Sequence, residues 1–137
     1  MRFQLDPGAY PPTRGHKEDA GIDLKSMYSH DIPPRGNAVC LTGTHVEIPE
    51  GYCGILVSKS GLNMAEDLTT TGLIDHGYEG QIVVKVYNHG NKTRHIMEGQ
   101  KITQLVVVPC LNDEIEIVGK INGGERGGGA FGSTGRF

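Results

Sequence analysis

Two aspartates, Asp23 and Asp75, a serine opening a short run of helix formers, Ser60, and a glycine-rich end carrying Arg126, Phe131, Ser133 and Thr134 are the residues whose types and spacing could do chemistry. Arginine presents a planar fork that grips a phosphate through two hydrogen bonds, and hydroxyls add further donors. Phe131 offers a ring on which a base can stack. Residues 126–135 therefore read as a flexible lid over a phosphorylated ligand. Composition alone leaves them equally readable as a tail without function, because so glycine-rich a segment buries too little apolar area to offset its ordering entropy. Gly127, Gly129 and Gly132 also satisfy GxGxxG, the pattern of a dinucleotide-binding turn. The residues after Gly132 are too few for the helix that this pattern must open, and no βαβ unit precedes it.

Taken one at a time, the other candidates read as structure. Asp23 close to Gly21 is more often a turn residue than a ligand. Ser60 ahead of Gly61 fits a helix cap or an anion grip, and one geometry serves both. Asp75 before His76 and Gly77 alone reads as a turn aspartate, and Tyr78 as packing.

The elements that must position these residues are mostly strands. Residues 38–46 and 54–57 are short β-rich runs punctuated by Gly or Pro. Residues 81–88 alternate, with Ile82, Val84 and Val86 on one face and Val83, Lys85 and Tyr87 on the other. Residues 102–108 form a mostly apolar strand stopped by Pro109, and residues 114–118 alternate charge with isoleucine. Only residues 61–68 offer helix formers, about two turns of them. Twenty-one glycines, seven prolines and no tryptophan fit a chain of many turns. Strands at intervals of about ten residues predict an all-β sandwich, barrel or jelly roll.

The length of 137 residues suits one domain. The first ten residues carry no signal-peptide pattern, and no run approaches the roughly 20 apolar residues that span a bilayer, so a soluble, non-membrane protein is expected. Cys40, Cys53 and Cys110 are an odd, widely spaced set, which argues against a disulfide framework or a CxxC metal knuckle and for a reducing compartment. A formal net charge of -3 gives no global attraction to nucleic acid. Any phosphate binding must be local.

Five blocks in order resemble the motifs of the trimeric dUTPase family: AGIDL at residues 20–24, SKSGL at 58–62, GLIDHGYEGQI at 72–82, GQKITQL at 99–105 and RGGGAFGSTG at 126–135. The resemblance covers nearly the whole chain, and the order, the spacing and the long third and fifth blocks make it specific. It implies a distorted jelly roll or β-barrel, residues 1–118, with a flexible C-terminal arm, residues 119–137. It also implies a homotrimer whose sites are each built from three chains. The implied reaction is hydrolysis of dUTP to dUMP and pyrophosphate with Mg2+, which limits uracil in DNA and supplies dUMP for dTTP synthesis, in the cytoplasm or, for a viral protein, the host cytoplasm.

By the same resemblance, Asp75 orients and deprotonates the water that attacks the α-phosphorus and contacts the sugar 3'-hydroxyl. Asp23 holds the Mg-triphosphate through coordinated water, which suits a cation that keeps its waters. Lys59, Ser60, Gly61 and Gln104 grip phosphates, joined by Arg126, Gly132, Ser133 and Thr134 of the arm. Tyr78 packs under the deoxyribose and Phe131 covers the base, while Thr69, Gly72, Ile74 and Lys85 are further substrate-binding residues. Gly72 and Gly80 bracket a hairpin whose backbone approaches uracil.

Several positions depart from the family pattern. Lys59 and Lys101 stand where Arg is usual, Asn63 and Thr103 where Ala is, Thr69 where many members carry Asn, and Ala130 where Gly is usual. Lysine keeps the charge and loses the fork. Lys101 reads as structural or interfacial. His76 is expected to be exposed. Two other readings share part of the pattern: a dCTP deaminase, typically longer and with a glutamate near the base, and a non-catalytic regulatory protein on the same scaffold that signals to a protein partner.

Overall fold

The computed structural model describes residues 1–121, 123–125, 127–130 and 133–135. Ten strands and one helix follow in the order β1 (Phe3–Leu5), β2 (Ile22–Lys25), β3 (His30–Ile32), β4 (Asn37–Leu41), β5 (Thr44–Val46), β6 (Tyr52–Val57), α1 (Ser60–Glu66), β7 (Leu68–Ile74), β8 (Val83–Asn88), β9 (Arg94–Ile96) and β10 (Lys101–Pro109). All pairings are antiparallel, in a six-stranded sheet of order β2-β10-β6-β7-β8-β4 and two ribbons, β1-β5 and β3-β9. The six-stranded sheet curls into a half-barrel, the all-β architecture expected of a jelly roll.

The alternation of residues 81–88 has its expected consequence. Ile82, Val84 and Val86 are fully buried, while Val83, Lys85 and Tyr87 face out from β8. On the inner face they meet Leu24, Leu56, Leu68, Ile74, Ile102 and Leu105, and the ribbons close this core with Ile32, Val46 and Ile96. Gly54 faces the same core, where an added methyl would come within 2.7 Å of Leu105 and 3.2 Å of Ile48 and Ile74. Buried hydroxyls brace the strands from within: Ser58 Oγ accepts from Thr70 N at 2.9 Å, and Thr70 and Thr103 hydroxyls meet at 2.8 Å. Thr103 also donates to the Val57 carbonyl at 3.0 Å. That pair of bonds gives Thr103 its use where the family usually has Ala.

Two expectations are adjusted. The run at residues 38–46 is broken at Thr42 and Gly43, where Gly43 takes φ 58° and the Thr42 hydroxyl donates to the Ile82 carbonyl at 2.6 Å. Residues 114–118 alternate as a strand does but form none, because in one chain they find no neighbour to pair with. Ile115 and Ile117 stay 94% and 95% exposed. Cys40, Cys53 and Cys110 are free thiols, and among the described residues no helix is long and apolar enough to cross a membrane.

Candidate active site

β10 is the element around which the first cluster forms. Its register sets Gln104 opposite Asp23 of β2 on one side and opposite Val57 of β6 on the other. Val57 leads directly to Lys59, the residue that precedes α1. Asp23, 4% exposed, therefore receives Lys59 Nζ on Oδ1 at 2.5 Å and Lys101 Nζ on Oδ2 at 2.7 Å. Gln104 Nε2 reaches the same Oδ1 at 3.4 Å. Gly21 permits this arrangement, since an added methyl would sit 3.0 Å from the Gln104 side chain. Lys101, which the sequence leaves as structural or interfacial, belongs to the cluster. Its signal was there to read in the paired change of two usual arginines to lysine.

Two ammonium groups about one carboxylate leave the cluster with a net positive formal charge, which favours an anion over a bare cation. Burial pushes the Asp23 carboxyl up, but hydrogen bonds and charge from Lys101 and Lys59 outweigh it and hold the group below its ordinary 3.8. Among the described residues no three His, Cys, Asp or Glu side chains gather as a metal cage. A single carboxylate does fit Mg2+ that arrives with a triphosphate, because this ion takes one or two carboxylates, phosphate oxygens and retained waters.

The sign of the Asp23 shift makes a stability prediction. A depressed carboxyl stabilises the fold above its unfolded value and loses that contribution as pH falls through the folded one. Lys101→Met should therefore cost about 1 kcal/mol at neutral pH, discounted because the Lys101 side chain is 40% exposed. The deficit should shrink as pH falls below about 4. Thermal unfolding of both proteins over that pH range checks it; a deficit unchanged at acid pH would reject the assignment.

Ser60 is not a helix cap. Lys59 occupies the cap position with no side-chain bond, and Ser60 and Gly61 open the helix, both exposed.

The second cluster lies at the tip of the hairpin between β7 and β8. Asp75 is exposed at the end of β7, with Tyr78 N donating to its carbonyl at 3.2 Å and Gly77 at φ 83° turning the chain. The Tyr78 hydroxyl donates to the Gln81 carbonyl at 3.0 Å. At Gly80 the room left by the missing side chain is taken by the Tyr78 ring, whose Cζ lies 2.6 Å from where a methyl would stand. Gly72 faces the Leu56 side chain at 2.9 Å by the same measure. His76 is exposed, and its Nδ1 donates to the Ile48 carbonyl at 2.7 Å.

A third group runs along the outer face of β7 and β8. The Thr69 hydroxyl meets His89 Nε2 at 2.6 Å, His89 stacks on Tyr87 at 6.4 Å, and Lys85 Nζ lies 5.3 Å from the Tyr87 ring centre. Tyr87 and His89 carried no signal in the sequence. Ile74 is buried beneath this face.

One chain does not bring the first two clusters together. The pairing of Gly54 with Ile74 continues to Cys53 beside Asp75, whereas Gln104 pairs with Val57, four residues along β6. At the rise of a strand the two ends lie about 13 Å apart. Burial, the Cys110 thiol and the Asp75 charge all push the Cys53 thiol up, consistent with its place next to Asp75. Between the clusters the outer face is apolar, with Val106, Ile55 and Leu73 in one row and Leu73 62% exposed. Ser133 and Thr134 are exposed in a turn closed by Ser133 N on the Ala130 carbonyl at 3.1 Å. Arg126, Phe131 and Gly132 lie outside the described residues.

Comparison with known proteins matches this arrangement to one family. The dUTPase family model matches residues 9–135. The deoxyuridine 5'-triphosphate nucleotidohydrolase of Clostridium tetani is 39% identical over 135 residues, covering 96% of this chain and 93% of the relative. The human mitochondrial enzyme of the same name is 37% identical over 138 residues, covering 99% of this chain and 55% of the relative. Among solved structures, the dUTPase of Staphylococcus bacteriophage 80alpha with dUpNHpp superposes with a TM-score of 0.90 at 32% identity, covering 98% of this chain and 97% of the other. The dUTPase of phage phi11 of S. aureus, described for the coordination of a structural Mg(II) ion, superposes at 0.80 with 31% identity, covering 90% of this chain and all of the other. On a match that runs from the N-terminal segment through the arm, this chain belongs to the dUTPase family.

Proposed function

We propose that this chain hydrolyses dUTP to dUMP and pyrophosphate by in-line attack of water on the α-phosphorus, with Asp75 as the base. The observation that carries the reading is the Asp23, Lys59, Lys101 and Gln104 cluster, a net-positive group built from three of the family's blocks. Asp75 stands exposed at a hairpin tip, where its carboxylate can orient a water and take its proton as the phosphorus–oxygen bond to pyrophosphate breaks. Lys59, Lys101, Ser60, Gly61 and Gln104 bind the phosphates, and Arg126, Gly132, Ser133 and Thr134 close over them. Tyr78 packs against the deoxyribose, Phe131 covers the base, and Thr69, Gly72, Ile74 and Lys85 border the base and sugar. Mg2+ bound with the triphosphate, reached by Asp23 through water, supplies neutralisation of the charge that develops on the leaving pyrophosphate.

The separation of Asp75 from the phosphate cluster supports sites shared between chains, as does the apolar row in which exposed Leu73 adjoins half-buried Ile55 and Val106. A homotrimer fits both, with residues 1–118 as the core and 119–137 as the arm. In a cell, in the cytoplasm, this activity keeps dUTP low and yields dUMP.

Pyrophosphate release compared across dUTP, dTTP, dCTP and UTP, with and without Mg2+, tests the reading. Turnover of dUTP alone, strongest with Mg2+, is the expected result. Equal hydrolysis of all four nucleotides would reject it, and ammonia release from dCTP would point to a deaminase.

A further inference from the structure

His45 of β5 lies outside the blocks that carry the family resemblance, yet it holds the hairpin tip. Its Nδ1 is 2.7 Å from the Glu79 carbonyl oxygen, one residue beyond Tyr78, and its Nε2 is 3.1 Å from Asp6 Oδ1. Its side chain is 21% exposed. Both partners are acceptors only. A neutral imidazole has one N–H and one lone pair, so it can satisfy one of these bonds, whereas the imidazolium satisfies both. Asp6 is itself anchored, its N donating to the Gly43 carbonyl at 2.8 Å, and Gly43 N donates to Gln81 Oε1 at 3.1 Å. The N-terminal segment and β5 thus grip the hairpin on both sides of Gly80.

We propose that His45 is a positioning residue for hydrolysis: while protonated it ties the hairpin that carries Asp75 and Tyr78 to Asp6, and loss of its proton slackens the tip and weakens dUTP binding. The proposal rests on the hydrolase reading above. The charged group in contact with His45 is Asp6 of the N-terminal segment, and the other charged and titratable residues lining the same cleft are His76, Tyr78 and Glu79 of the hairpin with Arg2 and Glu47. Arg2 and Glu47 pair with each other. The Glu79 carbonyl raises the imidazole, burial lowers it and Asp6 raises it, leaving it above its ordinary 6.5. The clamp is complete on the acid side of that titration and is lost as pH rises through it.

The test uses the full chain, with imidazole NMR and steady-state kinetics on dUTP from about pH 5 to about pH 9. In the unaltered protein, KM should rise roughly three- to tenfold across the His45 titration, with a smaller change in kcat. His45→Gln should show the alkaline-side KM at every pH. Asp6→Asn is the sharper variant, because its amide can donate to a neutral Nε2 and keep the tie without the extra proton; its KM step should vanish. A step that persists in Asp6→Asn, or an imidazole that never carries both protons in this range, overturns the proposal. Absence of dUTP turnover at every pH would instead overturn the hydrolase reading, and the NMR titration tells the two apart.

Discussion

Asp75→Asn should lower kcat by roughly 100- to 10,000-fold while nucleotide affinity stays within a few-fold of the unaltered protein. Asparagine has nearly the same shape and retains an acceptor oxygen, so a water and a sugar hydroxyl can still be held, but it cannot take the proton. The fold should not respond. Asp75 is exposed, and the bond it contributes to the hairpin, Tyr78 N to its carbonyl, is made by backbone. Pyrophosphate release measures the turnover, and titration calorimetry with the analogue dUpNHpp measures the affinity. A variant with near-normal kcat would remove Asp75 from the role of base; one that fails to bind would make it a binding residue.

Ending the chain after Glu125 should reduce turnover by roughly 100-fold or more, the scale on which a single well-aimed donor to developing charge is worth. The deletion removes Arg126, Phe131, Ser133 and Thr134 together, and the family match extends through this segment to residue 135. Stability should be little changed, because among the described residues the core cluster ends with Leu105 and the adjoining Val107. Light scattering should report the same assembly, and the melting temperature should hold. An active truncated enzyme would deny the arm its role.

Much of the fold was legible because β8 obeys a period of two that one buried face enforces, and because Pro109 marks the end of β10. β7 was harder to see: Thr69, Thr70, Thr71 and Gly72 show no apolar alternation, since half of that strand's inward positions are filled by a bracing hydroxyl and by the space Leu56 occupies. Residues 114–118 show the opposite failure, a good strand period without a strand. Periodicity reports which face would be buried, and it cannot supply the neighbour.

At the site, the sequence names Asp23, Lys59 and Gln104 by their blocks, and the structure adds that Lys59 and Gln104 both reach Asp23 Oδ1. The sequence reads Lys101 as structural or interfacial, and the structure adds its ion pair with Asp23 across the β2–β10 pairing. His89 and His45 were silent for a related reason. Each is hydrogen-bonded to a partner far away in sequence, Asp6 for His45 and Thr69 for His89, and pairings of that range belong to the topology.

The contact between Gly21 and the Gln104 side chain also bears on how this chain can change over time. A methyl at Gly21 would stand 3.0 Å from the Gln104 side chain, which would have to give by a few tenths of an ångström. Drift at either position is therefore conditional on the other, although they belong to the first and fourth blocks. A double substitution at Gly21 and Gln104 should depart from the sum of the two single ones, because the residues are in contact.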